Sequence, residues 1–283
     1  MSGPDWRPLR GVDPRRMSEA RLQAHYALQW LARAARAYCP PQPDDSHTNL
    51  GWDDVLNGFT THPLKGGVKL GLQIADCQLV LLDGAKAAQS FSVQGRTDAQ
   101  ARQWLGEQLS ARGFDAKLLD APSPYEMPAH AIAKGAVYAP AGVADALSEL
   151  AVWYANSNRS LGGVKKQIER HKLEAAPVRC WPHHFDLATL ASIPARGAKE
   201  AGSVGAGISP GDEYYDEPYF YVSVYPEPDA ASLPKLPKLG HWHTHEFMAA
   251  IAPAHKIVAA REQGAETDAF LHGAVESAIK LLS

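Results

Sequence analysis

Apolar residues recur every three or four positions in four long stretches, and this period predicts four helices. The first follows Ser18, a good N-cap, and ends at the proline run after Cys39, because proline lacks a backbone N–H. Thr97 has the features of a cap for the second helix. The third and fourth are predicted over about 143–171 and 265–282.

Between these helices, apolar and polar residues alternate or form short apolar runs, which predicts strands. The predicted strands lie within Asn49–Thr61, Val68–Ile74, Cys77–Leu82, Ser90–Val93, Val178–Ala191, Gly202–Ser209, Pro218–Tyr225 and Gly240–Glu246. Residues 119–142 carry four prolines without a regular period, which is typical of a connection.

Runs of strands bounded by helices predict an α+β fold of antiparallel sheets flanked by helices. The same order of helix, strands and helix occurs in residues 1–118 and 143–283, on either side of the connection 119–142. We therefore expect two similar halves, with the candidate site in the second, and hypothesise a duplication.

Composition excludes several classes of protein. Of the 283 residues, 45% are apolar and the net charge is −3, so no charge field favours nucleic acid or an acidic membrane. The sequence contains no run of about eighteen apolar residues, so it predicts no membrane-spanning helix. Cys39, Cys77 and Cys180 are far apart and form no C-x-x-C motif, which favours a reducing compartment. Without a signal-like N-terminus, we expect a soluble, cytoplasmic protein. Its oligomeric state stays open.

Two stretches carry recognisable motifs: Trp181–Ala188 contains Phe-Asp-Leu-Ala, and Tyr221–Pro228 contains Tyr-Pro-Glu-Pro. Both resemble stretches of a bacterial protein family known only as a domain of unknown function. The resemblance extends from about Asn49 to the C-terminus and includes Thr60-Thr61-x-Pro63. It implies that this region is one unit, and it assigns no reaction.

Histidines are concentrated in two of the predicted strands. Side chains alternate between the faces of a strand, so His241, His243 and His245 would share one face. By the same alternation, His184 and Asp186 would point the same way. Imidazoles and a carboxylate are normal ligands of zinc. The sequence therefore predicts that His184, His241 and His243 hold a divalent metal beside Asp186.

A polar aromatic pocket is predicted around these histidines. His183, Tyr219 and Tyr221 would bind a small molecule, because tyrosine combines an apolar body with a polar tip. We expect the histidine strand to lie beside the tyrosine strand and to share its polar face. The loop 211–221 adds Asp212, Tyr215 and Glu217 as hydrogen-bonding groups.

Three interpretations of this region stay open from the sequence. The first is a metal-dependent hydrolase in which Asp186 or Glu217 is the general base. The second is a metal-free ligand site, and the third is a structural network in a protein without turnover. A serine esterase is disfavoured: Ser209 lies in a Gly-x-Ser-x-Gly pattern, but Pro210 follows it and cannot donate a backbone N–H to an oxyanion.

Overall fold

The structure, a computed structural model, describes residues 6–84, 86–195 and 200–282. These residues form helices and two antiparallel sheets, so the predicted α+β class is confirmed. The helices are α1 (Pro14–Tyr38), α2 (Asp98–Ser110), α3 (Ala144–Arg170), α4 (Ala254–Val258) and α5 (Gln263–Leu282). The strands are β1 (Gly51–Asp53), β2 (Gly58–Thr60), β3 (Val68–Gln73), β4 (Gln78–Asp83), β5 (Lys86–Ser92), β6 (Glu174–Ala175), β7 (Arg179–Trp181), β8 (Asp186–Ile193), β9 (Gly202–Ser209), β10 (Tyr219–Tyr225), β11 (His241–His243) and β12 (Ala249–Pro253).

The four long helices occur where the apolar period predicts them, but α1 begins earlier than expected. Its N-cap is Asp13 rather than Ser18, and the Asp13 carboxylate accepts a hydrogen bond from the Arg15 backbone N–H at 2.8 Å. Pro14 fits the first helical position because its missing N–H has no partner there. In α2, Thr97 is the N-cap as predicted and forms a capping box with Gln100.

The chain divides into two compact units, each of which takes two or more stretches of the sequence. The first unit comprises 12–151 and 180–185, and the second comprises the described parts of 1–11, 152–179 and 186–283. The proline-rich connection 119–142, predicted as the boundary between the halves, lies inside the first unit. The chain passes from the first unit to the second between Ala151 and Val152, within α3.

The first unit contains a five-stranded sheet in the sequential order β1-β2-β3-β4-β5. Its inner face is apolar and buried, with Leu70 opposite Leu81 and Leu72 opposite Leu79. Helix α1 packs against β3 on this unit, and Phe91 of β5 stacks on Trp104 of α2 with ring centroids 5.2 Å apart.

The second unit contains most of a seven-stranded sheet, whose main path is β11-β12-β10-β9-β8-β6; β7 lies off that path. One face carries Phe220, Val222 and Val224, all buried, and α5 packs on β9 and β10. Trp153 of α3 reaches Phe220, with centroids 6.3 Å apart. The opposite face carries the candidate site.

The two sheets share a run of sequential antiparallel strands but differ at one end. The second sheet ends in the order β10-β12-β11, so its last two strands are exchanged relative to a simple meander. A duplication would give both sheets the same strand order, so this difference contradicts the hypothesis. Within the described residues, none of the helices has the length and apolar character that crossing a membrane requires.

Candidate functional site

The predicted polar aromatic face exists on the seven-stranded sheet. His241 pairs with Ile251 of β12, and Ile251 pairs with Tyr221 of β10, so these three side chains share one face. The expectation that the histidine and tyrosine strands are direct neighbours is wrong, because β12 lies between them. Strand β12 has the sequence Ala-Ala-Ile-Ala-Pro, which lacks the alternation that predicts a strand.

The histidine strand is shorter than predicted. Strand β11 covers His241–His243, and the chain then turns through Glu246, whose φ is 66°. His245 is therefore outside the strand and does not share its face through alternation. Its backbone oxygen nevertheless accepts a hydrogen bond from His243 Nε2 at 2.6 Å. The His243 ring also stacks on Phe247, with centroids 4.1 Å apart.

The Tyr215 hydroxyl joins the two histidines of β11. Its oxygen lies 3.1 Å from His241 Nε2 and 2.9 Å from His243 Nδ1. A carbonyl oxygen only accepts, so His243 Nε2 carries the proton that it donates to His245. With one proton on the ring, His243 accepts from the Tyr215 hydroxyl at Nδ1, and Tyr215 in turn accepts from His241 Nε2. This direction places the proton of His241 on Nε2, so Nδ1 is unprotonated and its lone pair can accept a hydrogen bond.

His241 Nδ1 is the open end of this chain of hydrogen bonds. It is a buried atom that has no hydrogen-bond partner among the described residues, although the side chain as a whole is partly exposed. Burial lowers the pKa of His241, and the nearby charge of Lys256 lowers it further. The imidazole is therefore neutral near pH 7, in agreement with the tautomer that the hydrogen bonds require.

A short turn before β10 positions Tyr215. The Asp212 carboxylate accepts hydrogen bonds from the backbone N–H groups of Tyr214 and Tyr215, at 3.0 and 3.1 Å. The same carboxylate accepts from the hydroxyls of Ser209, at 3.2 Å, and Tyr219. The Gly-x-Ser-x-Gly pattern therefore builds a turn here, as its proline suggests. Asp212 organises the loop instead of facing a ligand.

Tyr221 and Asp186 form the second polar pair on this face. The Tyr221 hydroxyl donates to Asp186 Oδ2 at 2.5 Å. Burial is the main cause that raises the Tyr221 pKa well above its usual value, and the Asp186 charge adds to it. Tyr221 is thus a protonated donor at any physiological pH. Asp186, predicted as a general base, already has a hydrogen-bond donor in Tyr221.

Glu217, the other predicted base, is placed at the start of α4. Its two carboxylate oxygens accept from the His255 backbone N–H at 2.8 Å and from His255 Nδ1 at 2.5 Å. The Glu217 side chain is 18% exposed, whereas that of His255 is 65% exposed. The carboxylate therefore caps this short helix.

His183 and His184 occupy a turn, so the prediction of one strand over Val178–Ala191 is wrong. The chain leaves β7 at Trp181 and enters β8 at Asp186, and Phe185 between them has a φ of 62°. Alternation therefore does not relate His184 to Asp186. The rings of His183 and His184 are 4.1 Å apart, and both residues belong to the first compact unit.

The described residues contain no group of three His, Cys, Asp or Glu side chains that could hold a metal ion. The predicted metal ligands His241 and His243 instead share Tyr215 as a hydrogen-bond partner. A zinc site stays a prediction.

Sequence reasoning identified Tyr215 as a hydrogen-bonding group but missed Phe247 and the relation of His255 to Glu217. Phe247 follows the histidines after a single turn, in a stretch with no period. His255 lies in a five-residue helix that is too short to show one.

Comparison of the chain with protein-family models, with curated proteins and with solved structures finds no match. The family resemblance of the two motifs stays a prediction.

Proposed function

We propose that Tyr215, His241 and His243 form a metal-free binding site for a small, neutral, hydroxylated molecule such as a sugar or polyol. The ligand donates a hydrogen bond to His241 Nδ1. The observation that carries this proposal is the open end of the hydrogen-bond chain, where a buried acceptor has no partner. An unmet buried acceptor costs about 1–3 kcal/mol, and a ligand donor recovers part of that cost. Because Nδ1 is shielded, the ligand displaces a neighbouring side chain to reach it.

The surrounding charges favour a neutral ligand. The positive charges of Lys256 and His255 both lower the pKa of His241, which means that they disfavour a further positive charge beside this ring. An ammonium group at Nδ1 would meet this repulsion, whereas a hydroxyl donates a hydrogen bond without it.

Aromatic rings supply the apolar contact of the site. Tyr214 is 42% exposed and lies edge-on to Phe247, with centroids 4.9 Å apart. Phe247 in turn stacks on His243. Rings of this kind provide large, rigid contact surfaces for the apolar face of a sugar.

If the bound molecule reacts, His241 is the general base and Tyr215 passes the proton to His243.

The hydrogen bonds favour this interpretation over a metal-dependent hydrolase. Both ring nitrogens of His243 have partners, one in Tyr215 and one in the His245 carbonyl. A metal would have to replace one of them, and zinc binds imidazole nitrogens at about 2.0–2.1 Å.

The test is a titration of protein labelled with ¹⁵N at its histidines, with a panel of monosaccharides and polyols as probes. Wild-type protein should show an unprotonated His241 Nδ1 whose signal moves saturably with at least one probe. His241→Phe should abolish binding, whereas Tyr225→Phe should not, because Tyr225 is 68% exposed at the end of β10 and takes no part in the hydrogen-bond chain. A His241 signal that no probe moves would favour the structural network.

A further inference from the structure

We propose a second binding site, on the outer face of the five-stranded sheet, for a short N-acylated peptide with a free carboxylate. The site is a cleft of about 690 Å³ in the first compact unit. This volume lies within the range of small-molecule pockets. The site goes beyond the function proposed for the histidine cluster and shares no residue with it.

The wall of the cleft is the turn between β1 and β2. The Asp53 carboxylate holds this turn by accepting from the backbone N–H groups of Val55 and Leu56, at 2.9 Å each. Leu56 folds onto the sheet at Gly71, where a Cβ atom would meet Leu56 Cδ2 at 2.7 Å. Glycine at position 71 therefore makes room for the wall.

The rim of this wall is unusually apolar for a surface. Val55 is 97% exposed, although it lines the cleft next to Leu56. The floor is also apolar, with Val80 and Leu82 on β4 facing the cleft. Val80 and Leu82 are themselves buried, so a ligand side chain that lies on this floor gains apolar burial mainly by covering Val55.

Polar groups stand at the two ends of the apolar floor. Gln73 of β3 pairs across the sheet with Gln78 of β4, so two side-chain amides lie together at one end. Lys69 lies four residues before Gln73, about 13 Å away along the strand, at the other end. No hydrogen bond or ion pair of these three side chains is found within the described residues.

This arrangement matches the chemistry of an acylated dipeptide. Each glutamine amide offers a donor and an acceptor, which complements a peptide group. Lys69 attracts the terminal carboxylate, and it forms no ion pair with Asp53 within the described residues; Asp53 instead accepts from the backbone of its own turn through Oδ1. A dipeptide spans about 7 Å when extended, and the lysine and glutamine side chains reach across the remaining distance.

The test is calorimetric titration of the full-length protein with N-acetyl-leucyl-alanine at pH 7. Binding should be saturable, and the carboxamide form of the same probe should bind at least tenfold more weakly. Lys69→Met should weaken binding of the acid by a similar factor. Lys86→Met is the matched control, because Lys86 pairs with Asp83 and its side chain is on the other face of the sheet.

A steric variant provides a second measurement. Ala87 lines the cleft on the exposed strand β5, so Ala87→Trp should fill the cleft and abolish binding without changing the core. Tyr215→Phe should leave this binding unchanged, which separates it from the histidine cluster. Absence of saturable binding to wild-type protein, or equal binding to Ala87→Trp, would overturn the proposal.

Discussion

At the scale of single residues, the Tyr215 hydroxyl is the hydrogen-bond partner of both histidines of β11. Tyr215→Phe removes the partner of His241 Nε2 and of His243 Nδ1 together. Because both rings are partly exposed, we expect a loss of about 1–2 kcal/mol in the free energy of unfolding. Denaturant unfolding measures it, with Tyr225→Phe as control. Equal stabilities of the two variants would contradict the hydrogen-bond chain.

His25 makes the stability of the first unit depend on pH. It is buried, and its Nε2–H donates to the Pro182 carbonyl oxygen at 2.7 Å. Burial lowers its pKa from 6.5 to about 4, so the unfolded chain binds a proton more readily than the folded one. The stability from this group is therefore complete above pH 6.5 and is lost as the pH falls towards 4.

The size of this loss follows from the pKa difference and is about 3 kcal/mol. His25→Gln retains a donor and cannot take up the proton, so the variant should lose less stability than wild type between pH 6.5 and 4. Unfolding curves at pH 7, 5.5 and 4 measure the difference. Parallel pH profiles of the two proteins would mean that His25 is not protonated on unfolding in this range.

The sequence indicated which residue types form the candidate face but not their pairings. Tyr221, His241 and His243 share the face as alternation predicts. The pairing of Tyr215 with the histidines depends on the Asp212 turn, whose geometry has no periodic signal. The turn at His183 was missed because its residues continue a pattern that resembles a strand.

At the scale of elements, the close contact between β9 and β10 requires glycine at position 207. A Cβ atom on Gly207 would meet the Tyr221 ring at 2.6 Å and the Ala188 Cβ at 2.9 Å. Gly207→Ala should therefore push Tyr221 away from Asp186 and cost about 1–3 kcal/mol. Gly205→Ala is the control, because its nearest neighbour is the Ser223 hydroxyl, which can rotate. In thermal unfolding, Gly207→Ala should therefore lose more stability than Gly205→Ala.

Helix α2 depends on its capping box. The Thr97 hydroxyl accepts from the Gln100 backbone N–H at 3.3 Å, and the Gln100 side chain accepts from the Thr97 N–H at 2.9 Å. Thr97→Ala should cost about 1 kcal/mol in unfolding free energy, and Thr97→Ser much less. If the alanine and serine variants are equally stable, the cap contributes nothing.

Elements with a clear period were predictable, and those without one were not. The helices α2 and α3 occupy nearly their predicted ranges, since each has a long apolar stripe or a recognisable cap, and β9 does so because apolar residues alternate with small ones along it. Strand β12 has alanine on both faces, so its side chains carry no alternation. Its place between β11 and β10 is a long-range pairing that local propensity does not encode.

At the scale of the whole molecule, each unit has its own apolar core. Leu150 and Leu271, predicted to lie in buried helix stripes, are 1% and 0% exposed. Leu150→Ala and Leu271→Ala should each cost about 2–5 kcal/mol. Arg15→Ala is a surface control and should change the free energy of unfolding by less than about 0.5 kcal/mol. A change below that value for either leucine would mean that its core tolerates a cavity.

The proline-rich stretch was predicted as a boundary from composition alone, and composition cannot show which distant segments pack together. The hexapeptide 180–185 completes the first unit, because Cys180 exchanges two backbone hydrogen bonds with Leu50, each 2.9 Å long. Phe185, which is fully buried, lies edge-on to Phe59 at 6.1 Å. These contacts join residues about 130 positions apart.

This late segment constrains the order of events during synthesis on the ribosome. The nascent chain exposes all of residues 12–151 before the segment that closes their unit has been translated. The unit can therefore be completed only after residue 185 has left the exit tunnel. By then the ribosome is already translating strands of the seven-stranded sheet. Until that moment Phe59 and Leu50 lack the contacts that Phe185 and Cys180 provide, which is when a chaperone that binds apolar segments would find them.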